Sequence, residues 1–412
     1  MRLGFVAMPL AALVAAGCSV GGAPDGVVAD CTTRMALPPA VQTDILFVID
    51  DSGSMAEEQE KVASELEGFV SALATGPVTN DFRVGVVTTA VSQHARQSCD
   101  EDAPGALVRF PEASGRLQPA TLPGEEEEGP RVLDWQDPDL IERFSALVRR
   151  GTGGTGQEMG LEAMRLALTE ANPDFLRPGA RLLVVVVTDE DDCSDPAGTS
   201  LVLDPGCFPT ACEADDECGD GAYCVKNFDD PSTRACIPNT CESTAGREAL
   251  EPVERYVELL QNLDDGTGTG RTRETFLAVI GPVDPESGAP TRCRSATDEA
   301  YGVGVRYAQA VEAMGERGLI ASICSDDFGA ALTDIARLVE PEQVVELDDA
   351  PDDGRLLQVK LRRVDGSEVL CRHGEGFTFE PATDGAPARI TLEGTCRLQH
   401  GDRIAVDLFC AG

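Results

Sequence analysis

The sequence predicts an α/β fold, with a mainly parallel, doubly wound sheet that carries a disulfide-rich insertion and is followed by a small C-terminal all-β module. Three observations lead there. From residue 42 to residue 340, short uninterrupted apolar runs alternate with segments of helical period. The strongest run, Leu182-Leu-Val-Val-Val-Val, has no polar residue on either face. Strands read that way when helices cover both sides of a parallel sheet. From Val344 the pattern changes to short alternating or β-branched segments separated by Gly and Asp, which predicts strands joined by turns.

Taken in order, Asp44-Ile-Leu-Phe-Val-Ile predicts the first buried strand. Glu57 to Leu73 places Val62, Leu66, Phe69, Val70 and Leu73 at helical spacing, and Arg83 to Ala90 reads as a second strand. Residues 95–130 are rich in Pro and Gly and contain the run Glu125 to Glu128. They read as solvated loops with one edge strand near Ala106 to Phe110. Helices are expected at Asp139 to Arg150 and at Gly160 to Glu170, ahead of the strand Arg181 to Thr188. A cysteine-rich stretch, residues 193–245, interrupts the pattern. It resumes with a helix at Arg247 to Leu263, a strand at Thr275 to Gly281 and a helix at Tyr301 to Arg317. A strand at Leu319 to Cys324 and a helix at Asp326 to Val339 complete the domain before Pro341. The β module, residues 342–412, contains Leu356-Leu-Gln-Val-Lys-Leu, Phe377-Thr-Phe, Arg389-Ile-Thr-Leu and Arg403-Ile-Ala-Val-Asp-Leu-Phe.

A chain of 412 residues has room for two or three domains. Its net charge of −39 argues against nucleic-acid binding and against electrostatic attraction to anionic lipid, both of which need basic patches. The same charge suits a well-solvated surface with an affinity for cations. No segment after the N-terminal one is long and apolar enough to span a bilayer, which takes ~20 residues.

At the N-terminus, Arg2 precedes the uncharged run Leu3 to Ala16, and Ala15-Ala16-Gly17 leads into Cys18. A positive start, a short apolar run and small residues at a cut site describe an export signal. This ending resembles the lipobox of bacterial lipoproteins, with Ala15 where leucine is usual. The resemblance implies a signal peptide over residues 1–17, lipidation of Cys18 and a lipidated tether over residues 18–41. Ser19 in place of an aspartate after the lipid-bearing cysteine points to the outer membrane or cell surface. Removing Cys18 from the 15 cysteines leaves an even number, as expected of disulfides in an oxidising compartment. Zinc would favour tight thiolate clusters.

Ligands of open parallel sheets bind beyond the carboxyl ends of the strands. Three oxygen-bearing segments are expected there. Asp50-Asp51-Ser52-Gly53-Ser54 follows the first strand, Gly153-Gly154-Thr155 lies between the middle helices, and Thr188-Asp189-Glu190 follows the strongest strand. Asp and Ser crowd into caps and turns anyway, so the first string alone says little. The three together, in this order, resemble the metal-ion-dependent adhesion site of the von Willebrand factor A (VWA) family over about residues 42–340. The resemblance implies that Ser52, Ser54 and Thr155 give hydroxyl oxygens to an ion, with Asp50 and Asp189 contributing directly or through water. Hydroxyl and carboxylate oxygens are hard ligands, suited to Mg2+ first and then to Mn2+ or Ca2+. Asp51, Glu190, Asp191 and Asp192 read as a solvated acidic rim.

Cys207, Cys212, Cys218, Cys224, Cys236 and Cys241 fall within 35 residues of the insertion, among Gly, Asp, Pro and Asn. Their pairing cannot be chosen from sequence. In the family fold the chain enters and leaves on the face opposite the metal. That implies a bond from Cys31 to one of Cys371, Cys396 and Cys410. The remaining pairs are then expected within the insertion, between Cys293 and Cys324, and between Cys99 and Cys193. Asp215, Asp216 and Asp220 make only a weak case for calcium.

The expected function is non-enzymatic binding or adhesion, through the ion, to a protein or another carboxylate-bearing ligand. A periplasmic envelope scaffold using the same site is the alternative. A metal-dependent hydrolase is disfavoured because Ser52 has no partnering base: His94, His373 and His400 sit in no catalytic motif.

Overall fold

The computed structural model describes residues 33–36, 41–75, 80–91, 95–97, 107–109, 115–154, 156–195, 210–226, 232–295, 299–339, 344–347, 357–363, 366–383, 388–398 and 402–408. The signal segment and Cys18, Cys31, Cys99, Cys207, Cys410, His94, His400 and Thr155 lie outside them. The chain divides into two compact units, one of residues 40–341 and one formed by residues 1–39 with 342–412. Among the described residues, no helix is long and apolar enough to cross a membrane.

In chain order, β1 (Thr33–Ala36) belongs to the smaller unit. The larger unit begins with β2 (Val41–Ile49), α1 (Ala56–Thr75) and β3 (Asn80–Thr88). The short antiparallel pair β4 (Ala95–Gln97) and β5 (Leu107–Arg109) comes next, then β6 (Leu133–Asp134), α2 (Leu140–Val148) and α3 (Gly160–Leu166). A single π-helical stretch, Ala167–Ala171, extends α3 before β7 (Arg181–Val187). The insertion supplies the hairpin β8 (Ala222–Lys226) and β9 (Arg234–Pro238). There follow α4 (Thr244–Ala249), α5 (Val253–Asn262), β10 (Thr275–Gly281), α6 (Val305–Met314), β11 (Gly318–Ser322) and α7 (Phe328–Leu338).

Six strands form one sheet in the order β11-β10-β7-β2-β3-β6. Every pairing is parallel except the edge pairing of β6 with β3. Counted along the chain, the order reverses between β2 and β7, the switch point of a doubly wound sheet where a crevice opens beyond the strand ends. Successive β2 residues face opposite layers. Ile45, Phe47 and Ile49 pack with Leu66 and Phe69 of α1, Phe144 of α2 and Leu332 of α7. Leu46 and Val48 pack instead with Met164 of α3, Tyr256 of α5 and Tyr307 of α6. Both faces are thus covered, and the strands had to be apolar throughout.

Two expected helices differ. The Arg247 to Leu263 segment is two helices, because Pro252 cannot donate a backbone hydrogen bond and sits instead as the N-cap of α5. The Tyr301 to Arg317 helix starts only at Val305. Residues before it are drawn out of helical register as the Tyr301 and Gly302 amides donate to the Asp189 carbonyl at 2.9 and 3.1 Å.

The smaller unit is antiparallel. β12 (Val344–Leu347), β16 (Ala388–Leu392) and β15 (Phe377–Glu380) form one sheet in that order. β1, β17 (Arg403–Leu408), β13 (Leu357–Arg362) and β14 (Glu368–Cys371) form the other. Leu357, Val359, Phe377, Ile390 and Ile404 are buried, on alternating positions of their strands. Thr33–Ala36, assigned from sequence to the tether, is an edge strand paired with β17.

Five disulfides join described cysteines: Cys193–Cys241, Cys212–Cys224, Cys218–Cys236, Cys293–Cys324 and Cys371–Cys396. Cys193 therefore bonds to Cys241 and not to Cys99, so the two ends of the 193–245 insertion are joined at the segment that leaves β7.

Candidate metal centre

Asp50 and Asp189 stand just beyond the ends of the neighbouring strands β2 and β7, so the sheet itself brings them together. The Asp50 amide donates to the Val187 carbonyl at 3.0 Å, extending the ladder one residue past β2. Asp50 is buried. Its Oδ1 accepts from the Ser52 amide at 2.8 Å, and its Oδ2 accepts from the Thr188 hydroxyl at 2.6 Å. The Ser52 and Ser54 hydroxyls lie 3.1 Å apart, and Ser54 donates to Asp189 Oδ1 at 3.1 Å. Four expected residues, Asp50, Ser52, Ser54 and Asp189, thus form one connected oxygen cluster.

Thr155 lies outside the described residues, but both of its neighbours are described. The Gly154 amide donates to the Asp51 carbonyl at 2.8 Å. A Cβ on Gly154 would stand 2.4 Å from Asp51 Oδ1, so only glycine allows this approach. Gln59, on the first turns of α1, completes the junction. Its amide donates to the Asp50 carbonyl at 2.8 Å and to the Gly151 carbonyl at 3.0 Å, and it accepts from the Gly151 amide at 3.0 Å.

Sequence reasoning missed Glu158. It is buried between the end of β3 and the start of α3. Its Oε2 accepts from the Thr89 hydroxyl, and the Thr89 amide donates to the carbonyl of Ile49, the residue before Asp50, at 3.2 Å. Gln59 was also not assigned to the site, and Thr188, though within the third segment, was given no role. The available signal was Gln157-Glu158, two large polar residues directly before the apolar start of α3.

The acidic rim needs correction. Asp191 and Asp192 are buried, not solvated. Asp192 pairs with Arg306 at 3.0 Å and accepts from the Leu161 amide at 2.9 Å, while Asp191 accepts from the Arg306 amide at 2.9 Å. They anchor α3 and α6. In the insertion, Asp215 is held by Arg292 and by the Cys224 amide, and Asp220 accepts from the Thr244 amide. These acids are occupied as turn and ion-pair partners.

Charge is distributed unevenly among the buried acids. Asp44 meets Arg177 at 2.7 Å, Glu162 meets Arg165 at 2.8 Å, and Glu299 meets Arg292 at 3.0 Å. Asp50, Glu158 and Asp189 have no basic partner among the described residues. One oxygen of Asp189 (Oδ2), one of Glu158 (Oε1) and one of Asp51 (Oδ1) are buried without a hydrogen bond. Burial pushes the Asp189 carboxyl well above the usual carboxylate range, and the charges of Asp50 and Glu190 push it further. Burial also raises Asp50, against hydrogen bonds from Thr188 and Ser52 that lower it. Asp51 is pushed up to about 7 by burial and then by the charge of Asp50. Uncompensated buried carboxylates are costly, and hard oxygens around unfilled acceptor positions fit a divalent cation.

No protein-family model matches the sequence, and neither does any curated protein. Solved structures similar to the chain include the pilus adhesin SpaC from Lactobacillus rhamnosus GG, at 10% identity and a TM-score of 0.33, over 91% of this chain and 39% of that one. A von Willebrand factor type A protein from Catenulispora acidiphila aligns at 11% identity and a TM-score of 0.29, over 94% and 67%. The pilus adhesin RrgA from Streptococcus pneumoniae aligns at 10% identity and a TM-score of 0.30, over 93% and 58%. The chain spans about two fifths of the length of SpaC. At this distance no residue of those proteins is placed on a residue of this chain.

Proposed function

We propose that the protein is an exported, VWA-type binding module, lipid-anchored through Cys18, whose Asp50, Ser52, Ser54, Thr155 and Asp189 hold one divalent ion, Mg2+ foremost. The observation that carries this reading is the contrast between arginine-paired acids elsewhere in the unit and the unpaired Asp50 and Asp189 at the switch point. The five disulfides support export, since such bonds persist in oxidising compartments.

Each residue has a defined task. Asp50 is held by Ser52 and Thr188, so its carboxylate is pre-oriented. Ser54 reaches between Ser52 and Asp189 and joins the two strand ends. Gln59 and Gly154 hold the loop bearing Thr155 against Asp51. A bound ion would supply positive charge and an open position for an anionic oxygen, which a partner's carboxylate can fill. In a chain of net charge −39, this local reversal of sign lets an acidic partner approach. Binding, and not catalysis, is the expected activity. The described histidine, His373, belongs to the smaller unit and packs against Phe377.

A pull-down from envelope extracts with residues 31–412 tests this reading. Partner capture should need Mg2+ or Mn2+, vanish with chelator, be competed by simple carboxylates and fail with Asp189→Ala. Equal capture in chelator would overturn it.

A further inference from the structure

We propose that Glu158 is a positioning carboxylate of this centre, standing behind Asp50 and adding a further negative charge to the set that selects the ion. This rests on the metal-centre reading above. It concerns a residue that the three sequence motifs do not contain.

Glu158 is held in place from several sides. The Met159 amide donates to the Thr89 carbonyl at 3.1 Å, and the Cys193 amide donates to the Glu158 carbonyl at 2.6 Å. The side chain is therefore fixed between the end of β3 and the segment leaving β7. Thr89 binds Oε2, and Oε1 is buried with no partner. Thr89 in turn donates its amide to the carbonyl of Ile49, the residue before Asp50, at 3.2 Å, and the charges acting on the Glu158 carboxyl, Asp50, Glu190 and Asp51, are all acidic.

A buried carboxylate whose charged neighbours Asp50, Glu190 and Asp51 are also acids costs free energy in a metal-free interior. A methionine of similar length would fill the same space without the desolvation cost. Beside a cation the arrangement makes sense. Outer residues that hold a direct ligand and raise the local negative charge strengthen ion binding. Their attraction grows in proportion to the charge of the ion, so Glu158 favours cations of higher charge. Removing a merely packing residue would have no such dependence.

Titration calorimetry on the full chain in detergent separates these cases, with MgCl2 and LaCl3 as probes and wild type, Glu158→Gln and Glu158→Met compared. Both variants should bind Mg2+ about tenfold more weakly, within the range found for residues that support metal ligands. If so, the loss for La3+ should be about 30-fold, since Coulomb energy scales with charge. Both variants should melt at or above the wild-type temperature in chelator, because a buried acid has gone. Unchanged affinities, or the same fold-loss for both ions, would overturn the role of Glu158. Asp189→Ala serves as the separate control. If it binds Mg2+ as wild type does, the metal-centre reading itself is wrong.

Discussion

The Ser54 hydroxyl donates to Asp189 Oδ1 at 3.1 Å, linking residues 135 positions apart in the chain. The contact exists because β2 and β7 are adjacent and parallel, so both segments emerge at the same end of the sheet. Ser52 reaches Asp189 only through Ser54. Replacing both serines with alanine removes this bridge while leaving Asp50 and the strands intact. The double variant should keep its melting temperature in chelator to within about 1 kcal/mol of stability, the scale of a net hydrogen bond, yet lose ion-dependent partner capture. Wild-type capture by the double variant would show that these hydroxyls are only turn residues.

Gly153 and Gly154 offer a matched pair. A Cβ at Gly154 would stand 2.4 Å from Asp51 Oδ1 and 2.7 Å from the Asp51 carbonyl oxygen, whereas one at Gly153 meets nothing within 4 Å. Gly154→Ala should push the loop away from Asp51 and weaken Mg2+ binding by about tenfold or more, as expected when a ligand's support shifts. Gly153→Ala should bind as wild type. Calorimetry giving equal affinities for the two variants would mean that this loop is not part of the centre.

The disulfides make a covalent prediction. Cys193–Cys241 closes a separation of 48 residues, for which chain entropy gives about 4 kcal/mol of stabilisation. Replacing both cysteines with alanine should lower the melting temperature and weaken ion binding, since the bond pins the segment whose residue-193 amide holds the Glu158 carbonyl. Five pairs use ten of the 15 cysteines and leave Cys31, Cys99, Cys207 and Cys410 beside Cys18, the proposed lipidation site. With Cys371 bonded to Cys396, Cys410 is the C-terminal partner expected for Cys31, and Cys99 is then expected to pair with Cys207. Non-reducing peptide maps should contain both pairs, and a free thiol at any of the four would refute the assignment.

Stability should also depend on pH in a defined direction. Burial, the main cause in each, pushes the Asp51 carboxyl up to about 7 and the Asp191 carboxyl up to about 8, from an ordinary 3.8. Between those limits the folded chain binds more protons than the unfolded one, so stability falls as pH rises from about 4 through 8. A divalent ion at the proposed centre would compete with protons at Asp50 and Asp189 and would draw the proton from neighbouring Asp51. Added Mg2+ should therefore raise the melting temperature more at pH 8 than at pH 5.5. An equal rise at both would contradict this.

Much of the sheet was legible because its physics is local. Leu182 to Val187 is apolar on both faces, and its short length and four valines mark it as a strand covered on both sides. Asp50 and Asp189 were legible for the same reason, as the first polar residues beyond two such strands. Glu158 was not, because its placement depends on Thr89, 69 positions away in sequence. Asp191 and Asp192 looked solvated since runs of acids usually are; Arg306, 114 residues beyond Asp192, is what allows Asp192 to be buried. The Cys193–Cys241 bond was hidden in the same way. Spacing groups the insertion's cysteines together, but the fold carries Cys241 back to the end of β7.

The most direct test of the central claim is titration of the chelator-stripped protein with Mg2+ or Mn2+ by calorimetry, beside Asp50→Ala and Asp189→Ala. One site is expected in the wild type and none in either variant, with near-wild-type circular dichroism throughout. Unchanged binding in both variants would place the ion elsewhere and contradict it.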